Sequence, residues 1–153
     1  ELLQKEKLMP ILKSVHVLIA NREEAMLITG ARHEDEETLF RKWDALSPGI
    51  NVMTDARKGV SVSDGRILYR AGIFPDKGVV DRTGAGDAFG SGFVSSLIAH
   101  PDDIGRAIRL GSANATAKVE GMGAKYGLLT ADAFESAKRW RVLSIHTEEI
   151  LAQ

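Results

Sequence analysis

The 153-residue sequence has no cysteine, which removes disulfides, thiolate zinc sites and cysteine nucleophiles together. It has no apolar run approaching the ~18–20 residues needed to cross a bilayer. Its opening, Glu1-Leu2-Leu3-Gln4-Lys5, lacks the basic-then-apolar order of a secretion signal. The expectation is a cytoplasmic protein with no membrane partner. Charge of one sign is also missing: 20 Lys and Arg against 21 Asp and Glu give a formal net charge of −1. Without a basic stripe to follow a polynucleotide backbone, nucleic acid is not an expected partner. The four histidines, His16, His33, His100 and His146, have no metal-ligand spacing. The two tryptophans, Trp43 and Trp140, read as core or interface aromatics.

What is present is an ordinary globular mixture, long enough to bury one core. The chain opens with Glu1 inside a helical pattern of Leu2, Leu3, Leu8, Ile11 and Leu12, so it is expected to begin inside a longer protein. Residues 15–20 form a β-branched apolar run, as a buried parallel strand does. Asn21 and Glu24 then have the spacing of a capping box, starting a helix that stops near Gly30. The acidic run Glu34-Asp35-Glu36-Glu37 suits a solvated helix start, and Leu39, Trp43 and Leu46 share one face of that helix before Ser47-Pro48-Gly49. A strand is expected at residues 50–54, and Asp64-Gly65 joins a hairpin of residues 59–63 and 66–71. Helices are expected at 85–99, 104–120, 131–140 and 147–152. Strands alternating with helices argue an α/β fold with a mostly parallel sheet and one antiparallel hairpin.

The most informative stretch is Val79-Val80-Asp81-Arg82-Thr83-Gly84-Ala85-Gly86-Asp87-Ala88-Phe89-Gly90-Ser91-Gly92. A short strand is expected to run into a glycine-rich turn that opens a helix. The first N–H groups of such a helix point outward unpaired, where the macrodipole favours negative charge. A phosphoryl group is expected against the amides of Ala85, Gly86 and Asp87. An aspartate there would repel a passive anion, and it makes sense as a base that accepts a proton from an attacking hydroxyl. Simple capping competes for a lone Gly-x-Gly. A dinucleotide fingerprint fails, because Phe89 holds the third glycine's position, and no Gly-x-x-x-x-Gly-Lys-Ser/Thr loop occurs.

Across its whole length, Asp81-Arg82-Thr83-Gly84-Ala85-Gly86-Asp87-Ala88-Phe89 with Gly90 and Gly92 resembles the carboxy-terminal signature of the ribokinase (PfkB carbohydrate kinase) family. Three further segments follow in the family's order. Asn21-Arg22-Glu23-Glu24 is similar to its Asn-x-x-Glu motif, Thr54-Asp55-Ala56-Arg57-Lys58-Gly59 to its Thr-x-Gly-x-x-Gly stretch, and Gly111-Ser112-Ala113-Asn114-Ala115 with Gly121-Met122-Gly123-Ala124 to the late helix and turn beside the adenine. Ala56 departs from the pattern where glycine is usual; if a positive φ is needed there, alanine is strained by about 1 kcal/mol.

The resemblance implies a three-layer ribokinase-like, Rossmann-like domain, of which residues 1–153 are the carboxy-terminal nucleotide-binding and catalytic part. The acceptor-binding half and lid would lie outside it. It implies transfer from ATP to an alcohol of a sugar or nucleoside, with Asp87 as base and an anion hole at Gly84, Ala85, Gly86 and Asp87. Asn21, Thr54, Gly59 and Asn114 would contact the nucleotide, with Arg82 a further candidate for its phosphates. Glu24 would place magnesium through water, and Asp81 and Thr83 would hold a monovalent cation such as potassium. A homo-oligomer or a complementing amino-terminal half would complete the enzyme, and the chain by itself is expected to be inactive, with one sheet edge left open. The alternative is a nucleotide-binding fragment or pseudo-kinase module with no activity of its own.

Overall fold

The computed structural model describes residues 5–31 and 35–150; His33, Glu34 and the start of the first expected helix, Leu2 and Leu3, lie outside them. In chain order the elements are α1 (Lys5–Leu12), β1 (Val17–Asn21), α2 (Arg22–Thr29), α3 (Glu36–Leu46), β2 (Ile50–Thr54), β3 (Val60–Ser63), β4 (Ile67–Ala71), α4 (Ala85–Ala99), α5 (Ile104–Val119), α6 (Ala131–Ser136) and β5 (Ile145–Glu149). Short 3-10 turns occupy Ala56–Lys58 and Lys138–Trp140. No helix among the described residues is long and apolar enough to cross a membrane. The described residues divide into two compact units: one of residues 5–31, 35–56, 60–70 and 146–150, the other of 57–59 and 71–145.

The first unit is built on a five-stranded sheet in the order β1-β2-β3-β4-β5. β1 and β2 are parallel, and the crossover between them carries α2 and α3. β2 and β3 are antiparallel. The sheet expected to be mostly parallel is therefore mostly antiparallel. Connection length is the reason: a short link or a tight turn returns the chain beside the strand it has just left, whereas a parallel neighbour needs a long crossover. Residues 55–59 and 64–66 are too short for one. Leu39, Phe40 and Trp43 of α3 pack with Ala25, Ala20, Met53 and Leu68 as the core of this unit, with the Phe40 and Trp43 rings stacked at 5.6 Å.

The expected capping box forms, and a side-chain cap is found at the start of α3 as well. Asn21 Oδ1 accepts from the Glu24 N–H at 2.9 Å and Glu24 Oε2 from the Asn21 N–H at 2.9 Å, and Gly30 ends α2 in the left-handed conformation. Asp35 accepts from the Thr38 N–H and hydroxyl, both at 2.9 Å, opening α3.

In the second unit, α4 and α5 approach closely through small residues. A Cβ on Gly111 would lie 3.0 Å from the Phe89 ring, and one on Gly92 would lie 2.7 Å from Asn114 Nδ2. Phe74, Leu110, Ala113, Ala117, Phe134 and Trp140 form its core. The Trp140 ring meets Phe74 edge-on at 5.2 Å, so both tryptophans are core residues.

Three expected elements differ. No strand forms at Val79-Val80: these residues are exposed, and the N–H groups of Val80 and Asp81 instead donate to the Val119 carbonyl at the end of α5, at 2.7 and 3.3 Å. The helix expected at 131–140 is α6 followed by the 3-10 turn. The helix expected at 147–152 is, in its described part, the strand β5. Its continuation is tied to the sheet by an Ile150 N–H donating to the Arg66 carbonyl at 2.8 Å.

Ala56 has a φ of 44° and is the one non-glycine residue among those described with positive φ. Left-handed backbone costs an L-residue about 1–2 kcal/mol, while glycine's extra freedom in the unfolded chain returns about 0.4–1 kcal/mol of any relief. Ala56→Gly is expected to stabilise by about 0.5–1 kcal/mol net, raising the thermal midpoint by roughly 1–4 °C. A midpoint that stays put or falls would show that alanine is not strained there.

Candidate active site

In the first unit, the register of the parallel pair sets Asn21 directly beside Thr54 at the carboxyl ends of β1 and β2. In open α/β sheets this end is where ligands collect. Both side-chain partners in the capping box are engaged, yet Glu24 is exposed and uses only Oε2 in the cap. Its other carboxylate oxygen faces no hydrogen-bond donor among the described residues. Beside Asn21 begins a chain of ion pairs that the sequence did not reveal. Arg22 donates to Asp55 at 2.5 Å and to Glu36 at 2.8 Å, and Glu36 accepts from Ser61 at 2.7 Å and Arg70 at 2.8 Å. Arg70 continues to Glu148 at 2.7 Å. Glu36 is thus a fixed acceptor in a network and not a solvated helix-start charge, and Arg22 is held at the carboxyl end of β1.

In the second unit, Gly84 caps α4 in the left-handed conformation, φ 79°, with no side-chain cap bond. A Cβ there would press on Ala124 at 3.1 Å, so glycine is required both by conformation and by contact. The Ala85 N–H donates to the Arg82 carbonyl at 3.2 Å, which narrows the expected set of three outward amides to two. The N–H groups of Gly86 and Asp87 find no backbone acceptor among the described residues. A Cβ built on Gly86 meets no atom within 4 Å beyond its chain neighbours and the local backbone of its own helix, so a ligand can reach the main chain there. Asp87 is exposed in the first turn of α4, and its carboxylate makes no hydrogen bond or ion pair among the described residues. The arrangement offers two amides at the positive end of a 15-residue helix with a free carboxylate beside them.

Asp81 lies just before this turn. Oδ1 accepts from the Thr83 N–H at 2.9 Å and Oδ2 from the Gly123 N–H at 3.0 Å. The Lys118 ammonium donates to its main-chain carbonyl at 2.7 Å and sits 3.4 Å from Oδ2. Hydrogen bonds from Thr83 first, then from Gly123 and Lys118, hold the Asp81 carboxyl far below the usual carboxylate range. Arg82 is exposed. Asn114 is 5% exposed, and its Oδ1 accepts from the Leu129 N–H at 2.9 Å. It pins the turn after α5 from inside the unit and does not present its amide at a surface. Gly59 has φ 99°, and a Cβ there would fall 2.0 Å from the Ala71 carbonyl oxygen. Its lack of a side chain is explained by that close passage.

A sequence model of the pfkB family of carbohydrate kinases matches residues 1–131. The chain belongs to that family. It is 36% identical over 95 residues to a cytidine kinase of Thermococcus kodakarensis, covering 60% of this chain and 33% of that protein. It is 30% identical over 132 residues to an ATP-dependent 6-phosphofructokinase of Thermoanaerobacterium thermosaccharolyticum, covering 86% of this chain and 40% of that protein. The solved structure of Arabidopsis thaliana ribokinase with ribose and ATP superposes with a TM-score of 0.68 at 26% identity, over 74% of this chain and 38% of the ribokinase. The chain therefore spans about two fifths or less of the length of these pfkB-family relatives. Its fold is α/β of the ribokinase kind.

Magnesium and a nucleotide phosphate fit the residues present. No group of three or more His, Cys, Asp or Glu able to cage a metal occurs among the described residues, and magnesium held by phosphates and its own waters needs none. Glu24 has an exposed carboxylate oxygen to offer such a water. A monovalent cation at Asp81 fits poorly, because each carboxylate oxygen and the carbonyl already meet a donor. Lys118 is the residue that sequence reasoning missed. The signal was its position: one turn after Asn114 and two after Gly111, it puts the only charge of residues 110–119 on the buried stripe of α5.

Proposed function

We propose that the protein carrying this chain transfers the γ-phosphoryl group of ATP to an alcohol, a primary hydroxyl of a sugar or nucleoside. The observation that carries this reading is the first turn of α4, where two unpaired amides and the exposed Asp87 carboxylate sit together at an open glycine. In the step proposed, the acceptor oxygen bonds to the γ-phosphorus as the bond to the bridging oxygen of ADP breaks. The hydroxyl proton passes to Asp87. The amides of Gly86 and Asp87, backed by the dipole of α4, meet the charge on the transferring group with no reorganisation. Ala85 shapes the same turn through its bond to Arg82. Asn21 and Thr54, paired at the strand ends, are assigned to the nucleotide phosphates, with Gly59 shaping the segment after Thr54. Bound magnesium would offset phosphate charge, with Glu24 orienting one of its waters. Asn114 is assigned to holding the turn at Leu129.

The kinase names of the relatives support the reaction class, and the ribose and ATP of the plant ribokinase support the substrate class. We assign to these residues the nucleotide-binding and catalytic part of a ribokinase-like domain, with the acceptor pocket in the part of the relatives that the chain does not span. The strained Ala56 favours the second reading, a nucleotide-binding module without turnover. The test is γ-labelled ATP offered to the full-length protein with a panel of sugars, sugar phosphates and nucleosides. Label is expected in a phosphomonoester of one class of alcohol. ATP bound with no label transferred to any of them would favour the second reading.

A further inference from the structure

Lys118 lies in the last turn of α5 with its side chain entirely buried, 0% exposed. An ammonium taken out of water is tolerated only when it is paired and hydrogen-bonded, and here both partners belong to Asp81: its carbonyl at 2.7 Å and its Oδ2 at 3.4 Å. Those are a backbone carbonyl and a carboxylate oxygen at one residue, the oxygen types by which a monovalent cation is held. The other claims on Asp81 are met by the N–H groups of Thr83 and Gly123. The Gly123–Ala124 segment in turn lies against Gly84, the cap of α4. Charge at Lys118 is thereby connected, through Asp81, to the turn that presents the Gly86 and Asp87 amides.

We infer that the Lys118 ammonium is a built-in replacement for a monovalent cation at Asp81, so that this protein neither needs nor specifically binds potassium there. An ammonium carries the same single charge as potassium at a similar size. Tethering it to α5 keeps it in place whatever the salt outside, since a linked group acts at high effective concentration. It also places a positive charge at the carboxyl end of a helix, where the dipole favours it. Lys118 is a positioning residue: it touches Asp81 and acts on the phosphoryl site only through it.

The inference rests on family membership and on this packing. It does not depend on Asp87 being a base or on which alcohol accepts, so it is read from stability and not from turnover. The thermal midpoint of the full-length protein is measured in potassium, sodium, lithium and choline chlorides at one ionic strength, for the wild type, Lys118→Ala and Lys118→Met. The wild type is expected to melt alike in potassium and choline. Lys118→Ala, which opens the space and leaves the Asp81 carbonyl without its donor and the carboxylate without its countercharge, is expected to melt lower in choline. Potassium should raise it by roughly 3–5 °C, as a ligand present well above its dissociation constant does, and lithium should not. Lys118→Met fills the space without the charge and is expected to gain nothing from potassium. A potassium-specific rise in the wild type, or none in Lys118→Ala, overturns the inference. If Lys118→Ala does not fold, the wild type and Lys118→Met still decide, since a potassium-specific rise in either contradicts it and its absence from both agrees with it.

Discussion

Asp87→Asn in the full-length protein is expected to lower kcat by about 10²–10⁴-fold, the range a positioned general base contributes, with ATP binding unchanged or slightly tighter. The asymmetry follows from where Asp87 sits. Its carboxylate is exposed in the first turn of α4 with no partner among the described residues, so no ion pair is broken and nothing is buried by the change. Asparagine keeps the size and the helix but cannot take a proton. Removing a negative charge beside the two free amides relieves repulsion of the nucleotide phosphates, which is why binding should not suffer. The stability cost is confined to the lost attraction between carboxylate and helix dipole, about 0.3–1 kcal/mol. Steady-state kinetics together with calorimetric titration of the nucleotide separate the two effects. Turnover within about tenfold of wild type, roughly 1.4 kcal/mol of barrier, would remove Asp87 from the base role.

The second large effect is expected at Gly86. Its backbone lies outside the left-handed region, and a Cβ there meets no atom within 4 Å beyond its chain neighbours and the local backbone of its own helix, so Gly86→Ala introduces neither strain nor a clash. Alanine is the better helix former, by up to about 1 kcal/mol, and the midpoint should hold or rise slightly. The methyl group would, however, stand in front of the amide proposed to meet the transferring phosphoryl group. Loss of one such donor costs about 10²–10³-fold in kcat, and that drop is expected in Gly86→Ala. A variant more stable and far less active separates a ligand-approach glycine from a packing glycine. Gly84→Ala would not, since Gly84 is needed both for its φ of 79° and for its approach to Ala124. Full activity in Gly86→Ala would mean that the phosphoryl group binds elsewhere.

Local signals in the sequence were read reliably where the chemistry is local. The capping box of Asn21 and Glu24, the Asp64-Gly65 hairpin and the glycine start of α4 each depend on a few adjacent residues, and each forms. What failed depends on partners far away in the chain. Residues 147–149, Thr-Glu-Glu, have helical composition, but they lie on the last strand of the sheet order, where Arg70 pairs with Glu148. Charged side chains are common on such edges, and pairing overrides propensity there. The short apolar strand expected at Val79-Val80, ahead of the glycine-rich turn, does not form, because the N–H groups of Val80 and Asp81 go to the Val119 carbonyl. Sheet direction was taken from the alternation of elements when connection length was the better guide. At the site, the glycines and Asp87 were legible because helix geometry dictates them. The Lys118–Asp81 pair and the network from Asp55 through Arg22 and Glu36 to Arg70 were not, because side chains meet there that are distant in sequence.

Asp87 as a base and Asp87 as a nucleophile differ in one observable. A base permits a single in-line displacement, whereas a carboxylate that attacked phosphorus would pass through an acyl phosphate and require two. The most direct test is therefore the stereochemistry at the γ-phosphorus, using ATP made chiral there with oxygen isotopes and the alcohol that proves to be the acceptor. The account predicts inversion of configuration in the phosphorylated product, and retention would contradict it.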